Sequence, residues 1–97
     1  MLHCMRRVEW RTHAIEDLFS IIEYISLDDL GAAEKIAAEI DRKVGLLTER
    51  WQQYRIGRVD GTREMVVHKN YVVVYAVLDS SVIVLRVLHA SRQWPSA

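Results

Sequence analysis

The sequence predicts an α+β fold in which an antiparallel helical hairpin packs on a mostly antiparallel sheet, in the order β-α-α-β-β-β. Three observations support this: an alternating segment near the N-terminus, two helical apolar patterns in the first half, and consecutive strand-like runs in the second half. The chain has 97 residues, which suits one small domain. We expect a single domain over 1–97, with 1–6 as a candidate for disorder and 90–97 as a C-terminal tail.

The first strand and the first helix follow from two different periods. Arg7–Trp10 alternates polar and apolar residues, which is typical of a short strand. Thr12 is expected to cap a helix beginning at His13, because its hydroxyl can accept an early backbone N–H. Apolar residues then recur at three- and four-residue spacing and share one helical face: Ile15, Leu18, Ile22 and Ile25.

The second helix is predicted from about Leu30 to Glu49. Asp28 and Asp29 interrupt the first apolar pattern, and either can cap the helix that follows. Its apolar stripe comprises Ile36, Ile40, Val44 and Leu47. Because the connection is short, the two helices form an antiparallel hairpin.

Three runs rich in β-branched and aromatic residues predict the main sheet. They are Val66–Val67, Tyr71–Val77 and Val82–Leu88. Short polar side chains suit the turns between them, at Asn70 and at Asp79 to Ser81. The preceding segment, 51–60, is predicted to be a partly irregular, basic connection.

Charge is balanced over the whole chain and uneven along it. There are 13 basic and 13 acidic residues, so global steering toward nucleic acid is not expected. The acids concentrate in the first half and the bases later, which predicts one basic side. With 51% hydrophobic residues, intrinsic disorder is not expected.

The N-terminal residues and the cysteine count indicate a cytoplasmic protein. Cys4 is the only cysteine, so an internal disulfide and a cysteine-rich zinc site are excluded. No apolar run approaches the roughly 20 residues of a membrane span, and none near the N-terminus has signal-peptide length. His3 beside Cys4 is too small a set for a metal site, so we expect neither metal nor cofactor. Met5 is an alternative start to Met1.

Several segments of the second half resemble a known family. They are Gly61–Met65 (GTREM), Asn70–Tyr75 (NYVVVY), Leu85–His89 (LRVLH) and 92–95 (RQWP). Together they resemble the C-terminal half of the ParE/RelE family, which are toxins of type II toxin–antitoxin modules, and the resemblance extends upstream to about Val8. It implies the RelE/ParE-like fold and a cognate antitoxin, with operator DNA contacted only through that antitoxin.

The resemblance leaves two targets, and one position favours the first of them. ParE-type members bind DNA gyrase and trap its cleaved-DNA complex, whereas RelE-type members cut messenger RNA on the ribosome. In the RelE branch an arginine commonly follows the aromatic residue that opens the central strand. Here Val72 follows Tyr71, and valine carries no charge. We therefore expect a ParE-like gyrase inhibitor with no catalytic residue.

Two alternatives stay open beside the gyrase inhibitor. A RelE-like endonuclease would need another set of residues, for which Arg63, Arg86 and His89 are the candidates, with His89 as general base. The third possibility is a non-toxic protein that only binds the antitoxin as a co-repressor.

The target-binding residues are predicted on the sheet and in the tail, because arginine and tryptophan are common interface anchors. The set is Arg58, Arg63, Arg86, His89, Arg92 and Trp94. Structural roles are also possible. Arg63 could pair with Glu64, His89 could hydrogen-bond at a strand end, and Trp94 could fold back onto the helices. Trp10 and Trp51 are expected in the core.

The antitoxin is predicted to lie across the helices and against a sheet edge, because a small domain leaves apolar surface and unpaired strand edges exposed. The antitoxin-binding residues predicted from the helical pattern are Ile15, Leu18, Ile22, Ile36 and Ile40.

Overall fold

A computed structural model describes residues 6–68, 70–91 and 94. The elements are β1 (Arg7–Trp10), α1 (Thr12–Ser26), α2 (Leu30–Arg50), a 3-10 turn (Trp51–Gln53), β2 (Arg55–Ile56), β3 (Thr62–His68), β4 (Tyr71–Val77) and β5 (Ser81–His89). The strands form one sheet in the order β1-β5-β4-β3-β2, with β1 parallel to β5 and the other pairs antiparallel. The predicted fold class and element order are confirmed. The two-residue strand β2 is an addition within the segment expected to be irregular.

The two helices begin differently from one another. Asp29 caps α2 as predicted, since its carboxylate accepts the N–H of Ala32 at 3.0 Å. The predicted cap of α1 is wrong, because that helix already begins at Thr12 and its N-cap residue, Arg11, makes no side-chain cap bond. The N–H of Arg11 still donates to the Val84 carbonyl at 3.0 Å. The helix therefore begins directly after the last hydrogen bond to the sheet, one residue earlier than expected.

The core lies between the helical hairpin and one face of the sheet, here called the inner face. Its fully buried side chains come from both helices and three strands: Ala14, Ile40, Val44, Leu47, Met65, Val67, Val73, Tyr75, Val82, Val84 and Val87. Trp10 and Trp51 pack against this cluster. The Tyr75 hydroxyl donates to the Trp51 carbonyl at 2.7 Å, which ties the end of α2 to the centre of the sheet, and burial raises the pKa of Tyr75 to about 12.

A bulge in β5 changes which side chains face the helices. Val74 pairs with Arg86 and Tyr75 pairs with Val84, so Leu85 is the extra residue. Because of this insertion Val84 and Val87, three residues apart, both reach the inner core. Strict alternation would have directed Arg86 inward; the bulge directs it to the opposite, outer face of the sheet.

Asp17 hydrogen-bonds to the edge of β5 beyond the point where β1 ends. β1 pairs only with Ser81 to Val84. Beyond that point the Asp17 carboxylate accepts the N–H of Val87 at 3.0 Å, and Nε and Nη2 of Arg86 at 2.6 and 2.9 Å. The Arg86 and Asp17 side chains are only 15% and 12% exposed. The hydrogen bonds that Arg86 donates to Asp17 raise the pKa of Arg86. Because Asp17 lies on α1 and Arg86 on β5, this ion pair holds α1 against the sheet.

Replacing Asp17 by asparagine should lower the free energy of unfolding by about 3 kcal/mol, because Arg86 would keep its charge without a counter-charge in a mostly buried position. Glu16→Gln is the matched control on the same helix. Glu16 is exposed, so its change should stay within about 0.5 kcal/mol. Urea denaturation followed by circular dichroism measures both, and equal effects would contradict this role of Asp17.

Candidate functional site

A row of paired residues crosses the outer face of the sheet. Arg55 pairs with Glu64, Glu64 with Val74, and Val74 with Arg86. Directly opposed residues of neighbouring strands point to the same side. The row therefore begins and ends with an arginine, and its ends are about 14 Å apart across three strand spacings.

Trp94 covers the apolar part of the outer face. It packs with Leu85 against a second buried cluster formed by Val72, Val74 and Leu88. The Arg86 guanidinium lies 5.5 Å from the centre of the Trp94 ring. The indole Nε1 is buried and has no hydrogen-bond partner among the residues that the structure describes, where packing and the arginine contact hold the ring in place. Trp94 thus covers the outer face and not the helices. Arg92, two residues before it, lies outside the described residues.

Glu64 is a buried carboxylate between two arginines. Its side chain is 2% exposed and accepts Nη2 of Arg55 at 3.0 Å, and the backbone N–H, Nε and Nη2 of Arg58 at 3.0, 3.1 and 3.3 Å. Burial acts to raise the pKa of Glu64, but the hydrogen bonds from Arg58 and Arg55 outweigh it and the pKa is lowered. Glu64 is therefore ionised in the fold at neutral pH.

Arg63 faces the helices and does not pair with Glu64, because consecutive strand residues point to opposite faces. Its Nη1 donates to the carbonyls of Tyr54 at 2.7 Å and Gln52 at 3.4 Å. Its guanidinium also lies 5.5 Å from the centre of the Trp51 ring. Arg63 therefore holds the segment that follows α2, and the Arg63–Glu64 pair considered from the sequence is not formed.

His89 lies at the end of β5 beside a cleft. Its Nδ1 accepts the N–H of Ser91 at 3.2 Å and lies 2.7 Å from the Ser91 hydroxyl, which corresponds to the structural role considered from the sequence. Its ring meets that of Tyr71 edge to face at 5.5 Å. The cleft, of about 580 Å³, is lined by Ile21, Tyr24, Asn70, Tyr71, His89 and Ser91.

The candidate nuclease residues do not converge. His89 pairs with Tyr71, whereas Arg63 pairs with Tyr75, four residues or about 13 Å further along β4. Arg86 lies on the outer face, and its guanidinium donates two hydrogen bonds to Asp17. Arg63, Arg86 and His89 therefore do not form one constellation.

The helical hairpin exposes an apolar surface that differs from the predicted antitoxin set. Ile40 is 0% exposed and belongs to the core. The prediction of Ile40 as an antitoxin-binding residue is therefore corrected, because its side chain cannot contact a partner in this conformation. Leu18 and Ile36 pack against the core, and Ile22 is half-buried. The exposed apolar side chains of the hairpin are Ile15, Phe19, Tyr24, Leu27 and Leu30. We call these five residues the hairpin surface.

The described residues also bear on two other types of site. They contain no group of three His, Cys, Asp or Glu side chains suited to a metal ion, and His3 and Cys4 lie outside them. Neither described helix combines the length and apolar character that crossing a bilayer requires.

Comparison with known proteins identifies the family. The family described as the ParE toxin of type II toxin–antitoxin systems, parDE, matches residues 8–94. The chain is a member of the ParE toxin family. Two curated relatives match nearly all of this ParE-family toxin. A candidate toxin of Sinorhizobium fredii, Y4kP, is 36% identical and the match covers 93% of this chain and 94% of the relative. Toxin RelE2 of Caulobacter vibrioides is 33% identical, with 91% and 99% covered.

Solved structures share the fold. The chromosomal ParDE system from P. aeruginosa matches with a TM-score of 0.81 at 22% identity, covering 92% of this chain and all (100%) of that one. The RelBE2 toxin–antitoxin complex from Mycobacterium tuberculosis gives 0.57 at 24% identity, with 88% and 98% covered. The E. coli DinJ–YafQ complex gives 0.62 at 13% identity, with 93% and 98% covered.

Sequence reasoning missed Arg55 and Glu64 as members of the outer face. Arg55 lies in the segment expected to be irregular, so no strand pattern assigned it a face. Glu64 did carry a signal, since it is a lone carboxylate within a strand beside Met65, and a buried acid requires a cationic partner.

The ParE-family toxin should lose stability as the pH falls below 4.5, and Glu64 should contribute to this loss. The pKa of Glu64 is lowered from 4.5 in the fold. Its contribution is therefore complete above 4.5 and is lost as the pH falls through the lower folded value. Melting temperatures between about pH 3 and 6 should vary less for Glu64→Gln than for the wild type. Glu49→Gln, at an exposed acid of α2, is the control. A Glu64→Gln profile parallel to that of the wild type would exclude Glu64 as the cause.

Proposed function

We propose that this ParE-family toxin inhibits DNA gyrase. The observation that carries the proposal is Val72. It follows Tyr71, at the position where the RelE branch commonly has an arginine, and it is 2% exposed within the cluster under Trp94. Its side chain can neither donate a hydrogen bond nor offer a positive charge to a phosphate. The separation of Arg63 from His89 also favours a toxin that acts by binding.

A binding toxin needs only a preference for one state of its target. A 100-fold preference for the cleaved-DNA state of gyrase corresponds to about 2.7 kcal/mol. One or two well-packed arginine or tryptophan anchors supply this amount. We assign the contact to the outer face with Arg58 and Trp94, and to Arg92 on the basis of the sequence alone.

Purified toxin should inhibit gyrase supercoiling of plasmid DNA and increase the amount of cleaved DNA recovered after detergent and protease treatment. The physical reason is the preferential binding of the cleaved state. Toxin pre-mixed with its antitoxin is the control and should restore supercoiling. Primer extension on translated messenger tests the alternative, which the name of the relative RelE2 favours. If the messenger is cut at codons in the ribosomal A site and gyrase is unaffected, the gyrase proposal is wrong and the RelE-like alternative takes its place.

We further propose that a cognate antitoxin neutralises the toxin by covering the hairpin surface. The exposed fractions of Phe19, Tyr24 and Leu27 are 67%, 74% and 85%, and a shallow cleft lies between Tyr24, Ile25, Leu27 and Asp28. Tyr24 and Leu27 lie together at this cleft, and exposed apolar side chains that adjoin one another mark protein-binding sites. The structural relatives from M. tuberculosis and E. coli are toxin–antitoxin complexes. Toxin, antitoxin and gyrase would meet in the cytoplasm, with operator DNA reached only through the antitoxin.

Phe19→Ala should weaken the antitoxin complex by about 10- to 100-fold, which corresponds to about 1.4–2.7 kcal/mol for an aromatic anchor. Because Phe19 is exposed, its replacement should leave the fold intact. Leu78→Ala is the matched control, because Leu78 is 55% exposed in the turn between β4 and β5. The product of the adjacent reading frame serves as the antitoxin, and affinity is measured by calorimetry. Equal losses for the two variants would exclude the hairpin surface as the binding site.

A further inference from the structure

Two arginine side chains at one edge of the outer face are held by the same buried oxygen. Nη2 of Arg55 and Nη2 of Arg58 lie 3.0 and 3.3 Å from Oε1 of Glu64, so the two nitrogens are no more than about 6 Å apart. A second pair of bonds, from Nε and the backbone N–H of Arg58 to Oε2, fixes the carboxylate itself. The two guanidinium groups are therefore oriented before any ligand arrives.

The positive charge of this cluster is directed toward solvent. Glu64 balances one of the two cations and is 2% exposed, whereas the Arg55 and Arg58 side chains are 59% and 46% exposed. Within the described part of the chain, Nη1 of each arginine makes no hydrogen bond to another residue. One unit of positive charge and several oriented N–H groups thus remain available on the surface.

Oriented guanidinium groups at this spacing suit a ligand with two oxygens that share a negative charge. A phosphodiester has this geometry and stays ionised at any physiological pH. The surroundings favour nucleic acid over an acidic protein segment. The exposed charged residues of segment 50–64 are Arg50, Arg55, Arg58 and Asp60, so exposed cations outnumber exposed acids there. Clustered arginines with an excess of positive charge are typical of nucleic-acid contacts.

We propose that Arg55 and Arg58 bind a nucleic-acid phosphate, with Glu64 as the residue that positions them. The extension to gyrase rests on the proposed function: in the toxin–gyrase complex the phosphate belongs to the DNA. Arg55 is the better residue to test, because it makes one bond to Glu64 whereas Arg58 makes three. Glu64 keeps its bidentate partner when Arg55 is replaced, so the fold should persist.

The test compares Arg55→Gln with Arg42→Gln, which removes the same charge from an exposed position on α2. Fluorescence polarisation measures the affinity of each toxin for a labelled DNA duplex at low salt, without gyrase. Arg55→Gln should bind about tenfold more weakly than Arg42→Gln, and the slope of log affinity against log salt should fall by about 1. Arg55→Lys keeps the charge but lacks the planar fork, so it should recover only part of the affinity.

The gyrase assay is then run with the same variants. Inhibition that falls with Arg55→Gln and persists with Arg42→Gln supports a DNA contact in the gyrase complex. Weaker duplex binding by Arg55→Gln in a toxin that never inhibits gyrase supports the phosphate site and contradicts only the proposed target. Equal duplex affinities for the two variants would overturn the phosphate site. A selective loss of antitoxin affinity would also overturn it and assign the cluster to a protein carboxylate.

Discussion

The Asp17 carboxylate connects the helical layer to the sheet at the point where β1 stops. It accepts the N–H of Val87, which a carbonyl of a neighbouring strand would otherwise accept. It also accepts two hydrogen bonds from the Arg86 guanidinium and so fixes its position. Arg86 in turn lies against Trp94, which packs over the outer face. A single residue of α1 thus supports contacts on both sides of the sheet. Helix α1 and the outer face are therefore connected through Asp17 and Arg86.

The sequence predicts the secondary structure wherever a single hydrophobic period continues without interruption. The apolar spacing of both helices, the cap at Asp29 and the three long strands follow from local patterns. The remaining features depend on tertiary pairing. The bulge at Leu85 reverses the faces of the residues after it, and β2 exists only because Arg55 and Ile56 find partners in β3. Neither feature has a local signal, so the faces of Arg86 and Arg55 could not be read from the sequence.

The arginines of the second half illustrate why a basic segment does not equal a basic surface. Arg63 donates to backbone carbonyls on the inner side. Arg86 is neutralised by Asp17 in a mostly buried pair. The cluster of Arg55 and Arg58 retains an excess positive charge at the surface, because two cations share the one carboxylate of Glu64. Part of the uneven charge seen in the sequence therefore lies at one edge of the outer face.

Val72 connects the proposed function with the packing of the outer face. The side chain lies in the cluster beneath Trp94 and is 2% exposed. An arginine at this position would place a cation under the indole without a carboxylate partner in the cluster, and an unpaired buried charge costs several kcal/mol. Either the arginine side chain would have to reach solvent past Trp94, or Trp94 would have to move. The present packing of Trp94 therefore disfavours a cation at position 72, and this supports the proposal of a toxin that acts by binding.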